Sequence, residues 1–277
     1  MIPAEVRYVR ADSVEQTLDL LAEHGDDAKV LAGGHSLLPL MKFRFAAPEV
    51  LVDIAALDEL RYVRESGDEI SIGALTRYRD LHADEVLRAH APLLAEVAGA
   101  IGDRQVRNRG TIGGSLVHAD PAGDLPAATL ASDAVFVVRG PDGIREIAAE
   151  DFFLGPFTTP LEPDELLVEI RVPKLTGVGW GFEKFSRRAI DWAIVGVTAV
   201  GSSIALINMG GAPVRARAAE KALASGASPA EAGALAAEGT SPAGEPHATA
   251  DYRRHLARVL TTRALTAVAG KQPVGLR

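Results

Sequence analysis

Cysteine is absent from all 277 residues. This excludes disulfides, thiolate nucleophiles, cysteine-ligated zinc and iron–sulfur clusters on this chain. Any redox chemistry must then use an organic cofactor or a cluster on another polypeptide. No uninterrupted apolar run approaches bilayer length, and the N-terminus lacks the basic-then-apolar pattern of a signal peptide, so the expectation is a cytoplasmic protein. No internal repeat is present. Positive charge is scarce as well: 29 Lys and Arg face 37 Asp and Glu, for a formal net charge of -8. The densest basic group, Arg104, Arg107 and Arg109, is interrupted by Asp103, which argues against nucleic acid or an anionic membrane as a partner. The apolar fraction of 47% and charged fraction of 24% are ordinary for a globular chain. The length suits two domains.

Ser13-Val14-Glu15-Gln16 reads as a capping box, followed by Val14, Leu18, Leu21 and Ala22 at helical spacing. Lys29 to Leu31 reads as a buried strand, Ser36 as the cap of a helix carrying Leu37, Leu40 and Met41, and Val50 to Ile54 as a second strand. Leu60 to Val63 and Glu69 to Ile72 pair around Gly67-Asp68. Helices are expected over Thr76–Leu81, Pro92–Ile101 and Asp124–Leu130, and strands over Val135–Arg139, Ile144–Ala148 and Leu166–Val172. Lys174 to Gly179 marks a junction. Beyond it, Gly181–Ser186, Ala193–Val200 and Ser203–Asn208 suggest an antiparallel sheet, with helices over Arg217–Leu223, Pro229–Ala236 and Tyr252–Val268.

Two paired-glycine turns stand out. Ala32-Gly33-Gly34-His35-Ser36 follows the strand Lys29-Val30-Leu31 and precedes a helix. Thr111-Ile112-Gly113-Gly114-Ser115 precedes His118-Ala119-Asp120-Pro121-Ala122-Gly123-Asp124. Paired glycines let a backbone present successive N–H groups to an anion with no Cβ in the way. Each pair alone is equally a plain surface turn. The spacing matches neither the Rossmann fingerprint nor the P-loop. Asp120 and Asp124 suit hydrogen bonds to ligand hydroxyls, with a helix N-cap as the other reading of Asp124. His35 and His118 have no third ligand at metal spacing, which favours hydrogen bonding or packing. In Glu183 to Trp192, Lys184 suits a phosphate or a reduced flavin, while Arg187, Arg188 and Asp191 suit a surface ion-pair network.

Together, the run from Ala32 to Lys42, the run from Gly110 to Ser115 with His118 to Pro126, and Glu183-Lys184-Phe185 with Arg187-Arg188-Ala189 and Asp191 resemble one family. It is the FAD-binding medium subunit of molybdenum hydroxylases, the xanthine oxidase family, and within it the aerobic carbon monoxide dehydrogenase branch. The resemblance spans essentially the whole chain, although Ser225 to His247 matches poorly and Ser115 stands where Asn is frequent. It implies an α+β fold: a two-subdomain FAD-binding domain of the vanillyl-alcohol-oxidase type over 1–175 (subdomains about 1–56 and 57–175), and a C-terminal antiparallel sheet with helices over 176–277. It implies that Lys29, Val30, Leu31, Ala32, Gly33, Gly34, His35 and Ser36, with Thr111, Ile112, Gly113, Gly114 and Ser115, wrap the diphosphate. Ile101, Asp120, Asp124, Leu167 and Lys184 are implied around the rest of the cofactor.

The implied partners are a large molybdenum-binding subunit and a small subunit with two [2Fe–2S] clusters, in a dimer of heterotrimers. Electrons would leave for an external acceptor (quinone, NAD or oxygen), and any membrane contact would be peripheral, through the complex. No residue is implied as an acid–base catalyst. A self-contained flavin oxidase and a cofactor-free assembly subunit are the alternative readings.

Overall fold

The computed structural model describes residues 2–271. Three sheets organise it. The first unit runs β1 (Arg7–Arg10), α1 (Val14–His24), β2 (Ala28–Leu31), α2 (Leu37–Lys42) and β3 (Val50–Asp53). Its strands are parallel in the order β1-β3-β2, so their carboxyl ends share one edge. β2 therefore delivers the Ala32–Ser36 turn to the edge where parallel sheets bind ligands. Ser13 caps α1 by accepting from the Gln16 N–H at 3.1 Å, but Gln16 Oε1 accepts from Asp12, one residue before the expected reciprocal partner. Ser36 makes no side-chain cap on α2, contrary to the expectation from sequence.

The second unit comprises β4 (Val63–Ser66), β5 (Glu69–Gly73), α3 (Tyr78–Ala83), α4 (Glu85–His90), α5 (Pro92–Ala100), α6 (Arg104–Arg107), α7 (Ile112–His118), α8 (Asp124–Ala131), β6 (Val135–Gly140), β7 (Gly143–Ala148), α9 (Ala149–Phe152) and β8 (Leu166–Pro173). An antiparallel sheet of order β4-β5-β8-β6-β7 forms its floor. The apolar positions Ile70, Ile72, Phe136, Val138, Ile170 and Val172 share one buried core with residues of α3, α5, α7 and α8. Strand β4 begins later than the sequence suggests. Leu60 lies in a 3-10 turn, where its carbonyl accepts from the Leu75 N–H at 2.8 Å.

The third unit holds β9 (Trp180–Phe185), β10 (Val195–Val200), β11 (Ser203–Ile207), β12 (Val214–Arg215), α10 (Arg217–Ala224), α11 (Pro229–Ala234) and α12 (Ala250–Lys271). Its antiparallel sheet has the order β12-β11-β10-β9. Every residue of β10 is buried, because both faces of the sheet are covered. Val195, Val197 and Ala199 join the core beneath α12. The opposite face meets α8: Thr198 Oγ1 donates to the Ala127 carbonyl at 3.0 Å and Ser203 Oγ to the Ala131 carbonyl at 2.7 Å. Among the described residues no helix is long and apolar enough to cross a membrane.

α12 lies directly on β9, the strand that carries Lys184. A Cβ built on Gly181 would stand 2.3 Å from the carbonyl oxygen of Ala264. Gly181→Ala is expected to force these elements apart and lower stability by about 2 kcal/mol, read as a shifted midpoint in chemical denaturation.

Candidate functional site

A cleft of about 760 Å³ opens between the first two units. On one side stands the whole run from Lys29 to Ser36; on the other stand Thr111, Gly113, Gly114 and Ser115, with Leu167 and Tyr78 at the back. Phe45 and Phe157, both largely exposed, edge the cleft. Sequence reasoning did not pick out Tyr78, Phe45 or Phe157. Their types carry no ligand signal, and only the fold brings them to one place.

The two walls differ in kind. On the first, Gly34 has φ +74 and opens the turn. Among the described residues, no protein acceptor meets the N–H groups of Gly33, Gly34, His35 and Ser36. Four consecutive unpaired donors on a turn make a nest for an anion. The His35 ring folds back so that Nδ1 lies 3.0 Å from the Gly33 carbonyl, which leaves the N–H groups clear.

The second wall is a helix and not a loop, which corrects the expectation of two equivalent turns. Thr111 is the N-cap of α7 and accepts from the Gly114 N–H at 3.2 Å. The Ile112 N–H bonds the Thr76 carbonyl, the Gly113 N–H bonds Ala74, and the Ser115 N–H bonds Thr111. These donors are spent, so this wall contributes shape and the Thr111 and Ser115 hydroxyls. Its glycines answer separate demands. A Cβ on Gly113 would sit 2.7 Å from Ala74, whereas Gly114 is exposed and a Cβ there meets only the Thr111 hydroxyl, at 2.8 Å. Gly33 likewise serves packing, since its Cβ would lie 2.3 Å from the Arg109 carbonyl oxygen. The two walls touch there.

Five residues expected around the cofactor lie outside the cleft lining. Ile112 is fully buried in the core. Ile101 ends α5, packs on that core and accepts from Arg107 through its carbonyl. Asp120 folds onto the Ala122 N–H at 2.9 Å in a local turn. Asp124 and Lys184 form a buried pair, Nζ to Oδ2 at 2.6 Å, behind the cleft.

That pair changes the reading of Lys184. Its charge is matched by Asp124, so it is no free cation for a reduced ring. Burial pushes the Asp124 carboxyl up, with Lys184 opposing. Burial also drives the Tyr78 hydroxyl up to about 12, with Ser115 pulling it down and Asp124 adding to the rise. Among the described residues, Asp124 Oδ1 is buried without a hydrogen-bond partner. An orphaned carboxylate oxygen is costly, and one beside a cleft fits a missing hydroxyl donor of the ribityl kind. Further out, Arg188 and Arg187 share Asp191 at 3.1 and 4.0 Å on the surface, the structural network expected from sequence. Among the described residues no group of three metal-ligating side chains occurs.

The chain is similar to known proteins along nearly its whole length. Residues 4–175 match the family described as the FAD binding domain in molybdopterin dehydrogenase. Residues 180–268 match the CO dehydrogenase flavoprotein C-terminal domain. The carbon monoxide dehydrogenase medium chain of Hydrogenophaga pseudoflava is 44% identical, over 96% of this chain and 98% of that one. Subunit alpha of the 6-hydroxypseudooxynicotine dehydrogenase complex of Paenarthrobacter nicotinovorans is 40% identical, over 96% of this chain and 95% of its own length. Among solved structures, a chain of the Hydrogenophaga pseudoflava carbon monoxide dehydrogenase lacking the Mo-pyranopterin moiety superposes with a TM-score of 0.94 at 45% identity. That match covers 98% of this chain and 100% of the other.

The contrast between the glycines is testable. Gly114→Val is expected to keep apoprotein stability within about 1 kcal/mol of the parent yet yield colourless protein. Gly33→Val loses both properties, because its clash is with backbone. The buried pair gives a second test. Lys184→Met should cost about 3–5 kcal/mol by stranding Asp124, and adding Asp124→Leu should recover most of it; denaturation of the three apoproteins reads the cycle.

Proposed function

Because the chain belongs to the family of FAD-binding domains of molybdopterin dehydrogenases, we propose that it passes electrons from [2Fe–2S] clusters on a partner subunit to an external acceptor. The proposed holoenzyme contains a large molybdenum subunit and a small iron–sulfur subunit, and oxidises carbon monoxide. The observation that carries this reading is the row of four unpaired N–H groups from Gly33 to Ser36 along a dinucleotide-sized cleft. The absence of cysteine on the chain supports it, because iron–sulfur clusters then need another polypeptide.

FAD supplies the redox chemistry when bound; the protein supplies binding, orientation and the electrostatic surroundings. The Gly33–Ser36 turn would hold the diphosphate by charge-assisted N–H bonds. Asp124 Oδ1 is the natural acceptor for a cofactor hydroxyl, and its partner Lys184 fixes the carboxylate in place. Leu167 and Tyr78 exclude water from the back of the cleft. Residues 1–175 would carry these contacts, with Lys184 the contribution from 176–277. None of these residues must donate or remove a substrate proton.

The carbon monoxide assignment is supported by 44% identity across nearly the full length of a medium chain with that substrate in its name. A relative at 40% belongs to a complex named for a different substrate, which suits a substrate pocket on another subunit. Anaerobic carbon monoxide should bleach the flavin absorption of the assembled complex and leave the isolated chain yellow. Bleaching of the isolated chain by any small organic substrate would support a self-contained oxidase instead.

A further inference from the structure

The turn itself supplies neutral donors, the cleft lining sets one lysine, Lys29, against the carboxylates of Asp26, Glu162 and Glu165, and the buried cation Lys184 is already matched by Asp124. A diphosphate settling on the Gly33–Ser36 turn therefore calls for positive charge from elsewhere. Four arginines from separate stretches gather behind that turn. Arg61 follows the 3-10 turn before β4, Arg77 and Arg79 stand at the start of α3, and Arg109 precedes α7. An antiparallel bridge between Arg77 and Thr111 fixes the last two stretches side by side. Arg61, Arg77 and Arg109 wall a small notch together with Ala32, Leu75 and Thr111, and those last three residues also line the large cleft. The notch and the cleft are two sides of one wall.

On this functional reading, we propose that Arg61, Arg77 and Arg109 are a charge-compensating ring that draws the FAD diphosphate onto the Gly33–Ser36 turn through the wall, without touching it. Three observations support a role by field. The notch holds only about 10 Å³, too little for a phosphate. The ring is underpaired: among the described residues the Arg77 and Arg109 side chains have no ion-pair or hydrogen-bond partner, whereas Arg61 and Arg79 each have one acid neighbour. Arg61 also keeps a buried Nε with no acceptor. Finally, like charges crowd Arg77. Burial, then the charges of Arg61, Arg79 and Arg109, hold Arg77 below the usual guanidinium range, with Asp80 opposing. An anion arriving on the far side of the turn relieves that repulsion.

The test is FAD titration into the full-length apoprotein, together with apoprotein Tm. Arg77→Gln and Arg109→Gln are each expected to raise the FAD Kd about tenfold at low salt. The difference should shrink as salt screens the field. The same variants should raise apoprotein Tm by about 1 °C, because like charges are separated. Arg77→Lys and Arg109→Lys keep the charge and should bind nearly as the parent does. Arg263→Gln, which removes one exposed charge from α12, should leave FAD affinity unchanged. Two outcomes overturn the proposal: unchanged affinity in both glutamine variants, or apoproteins that lose stability in step with affinity. Unchanged affinity with weakened assembly onto the partner subunits would make the ring a docking face instead, and would also overturn it. A parent chain that takes up no FAD, even when assembled with its partner subunits, would sink the functional reading itself, a distinct failure.

Discussion

The eight residues of α8 are all buried, and the rest of the architecture is arranged to make that possible. A helix with no solvent face needs apolar cover all round and partners for its terminal backbone groups. Its own unit covers it with α5, α7 and α9, and the third unit covers it with β10 and β11. Its C-terminal carbonyls are met from the third unit: Thr198 bonds Ala127, Arg215 bonds Leu130 and Ser203 bonds Ala131. Its N-terminus carries Asp124, which the helix dipole favours as an anion and burial disfavours. Lys184 settles that conflict from β9. Helix, ion pair and interdomain contact form one arrangement.

Electrostatic labour in this protein is divided by depth. On the Gly33–Ser36 turn and at the start of α7 the groups offered to a ligand are neutral N–H donors and hydroxyls, which orient without demanding a counter-charge, while Lys29, Asp26, Glu162 and Glu165 stand elsewhere along the lining. Further charges sit one layer behind, as a matched pair on one side and an underpaired set of arginines on the other. Neutral donors at close range give geometry, and charges at longer range give attraction, a combination that holds a highly charged coenzyme without burying an isolated cation.

Much of this was legible in the sequence, since glycine pairs, turn dipeptides and β-branched runs report local backbone needs. The strands from β5 to β11 and the long C-terminal helix fall close to where periodicity puts them. The parts missed depend on distance along the chain. β1 escaped notice because Arg7–Arg10 is mostly exposed and gains its pairing only from β3, some forty residues on. The segment from Thr111 to Ser115 looks like a loop because glycine disfavours helix, yet Thr111 caps it and Gly113 must lie against Ala74. No local rule joins Asp124 to Lys184, or Arg61 to Arg77 and Arg109. Each is an unremarkable charge until the fold assembles it.

The burial of α8 also bears on how the chain is made. Residues 124–131 leave the ribosome well before β10 and β11, which supply half of their cover. At usual elongation speeds the gap of about seventy residues amounts to roughly 4 to 15 seconds. Through that interval a greasy helix stands half-dressed, its final carbonyls still hydrated, and nascent-chain chaperones have their natural window of engagement.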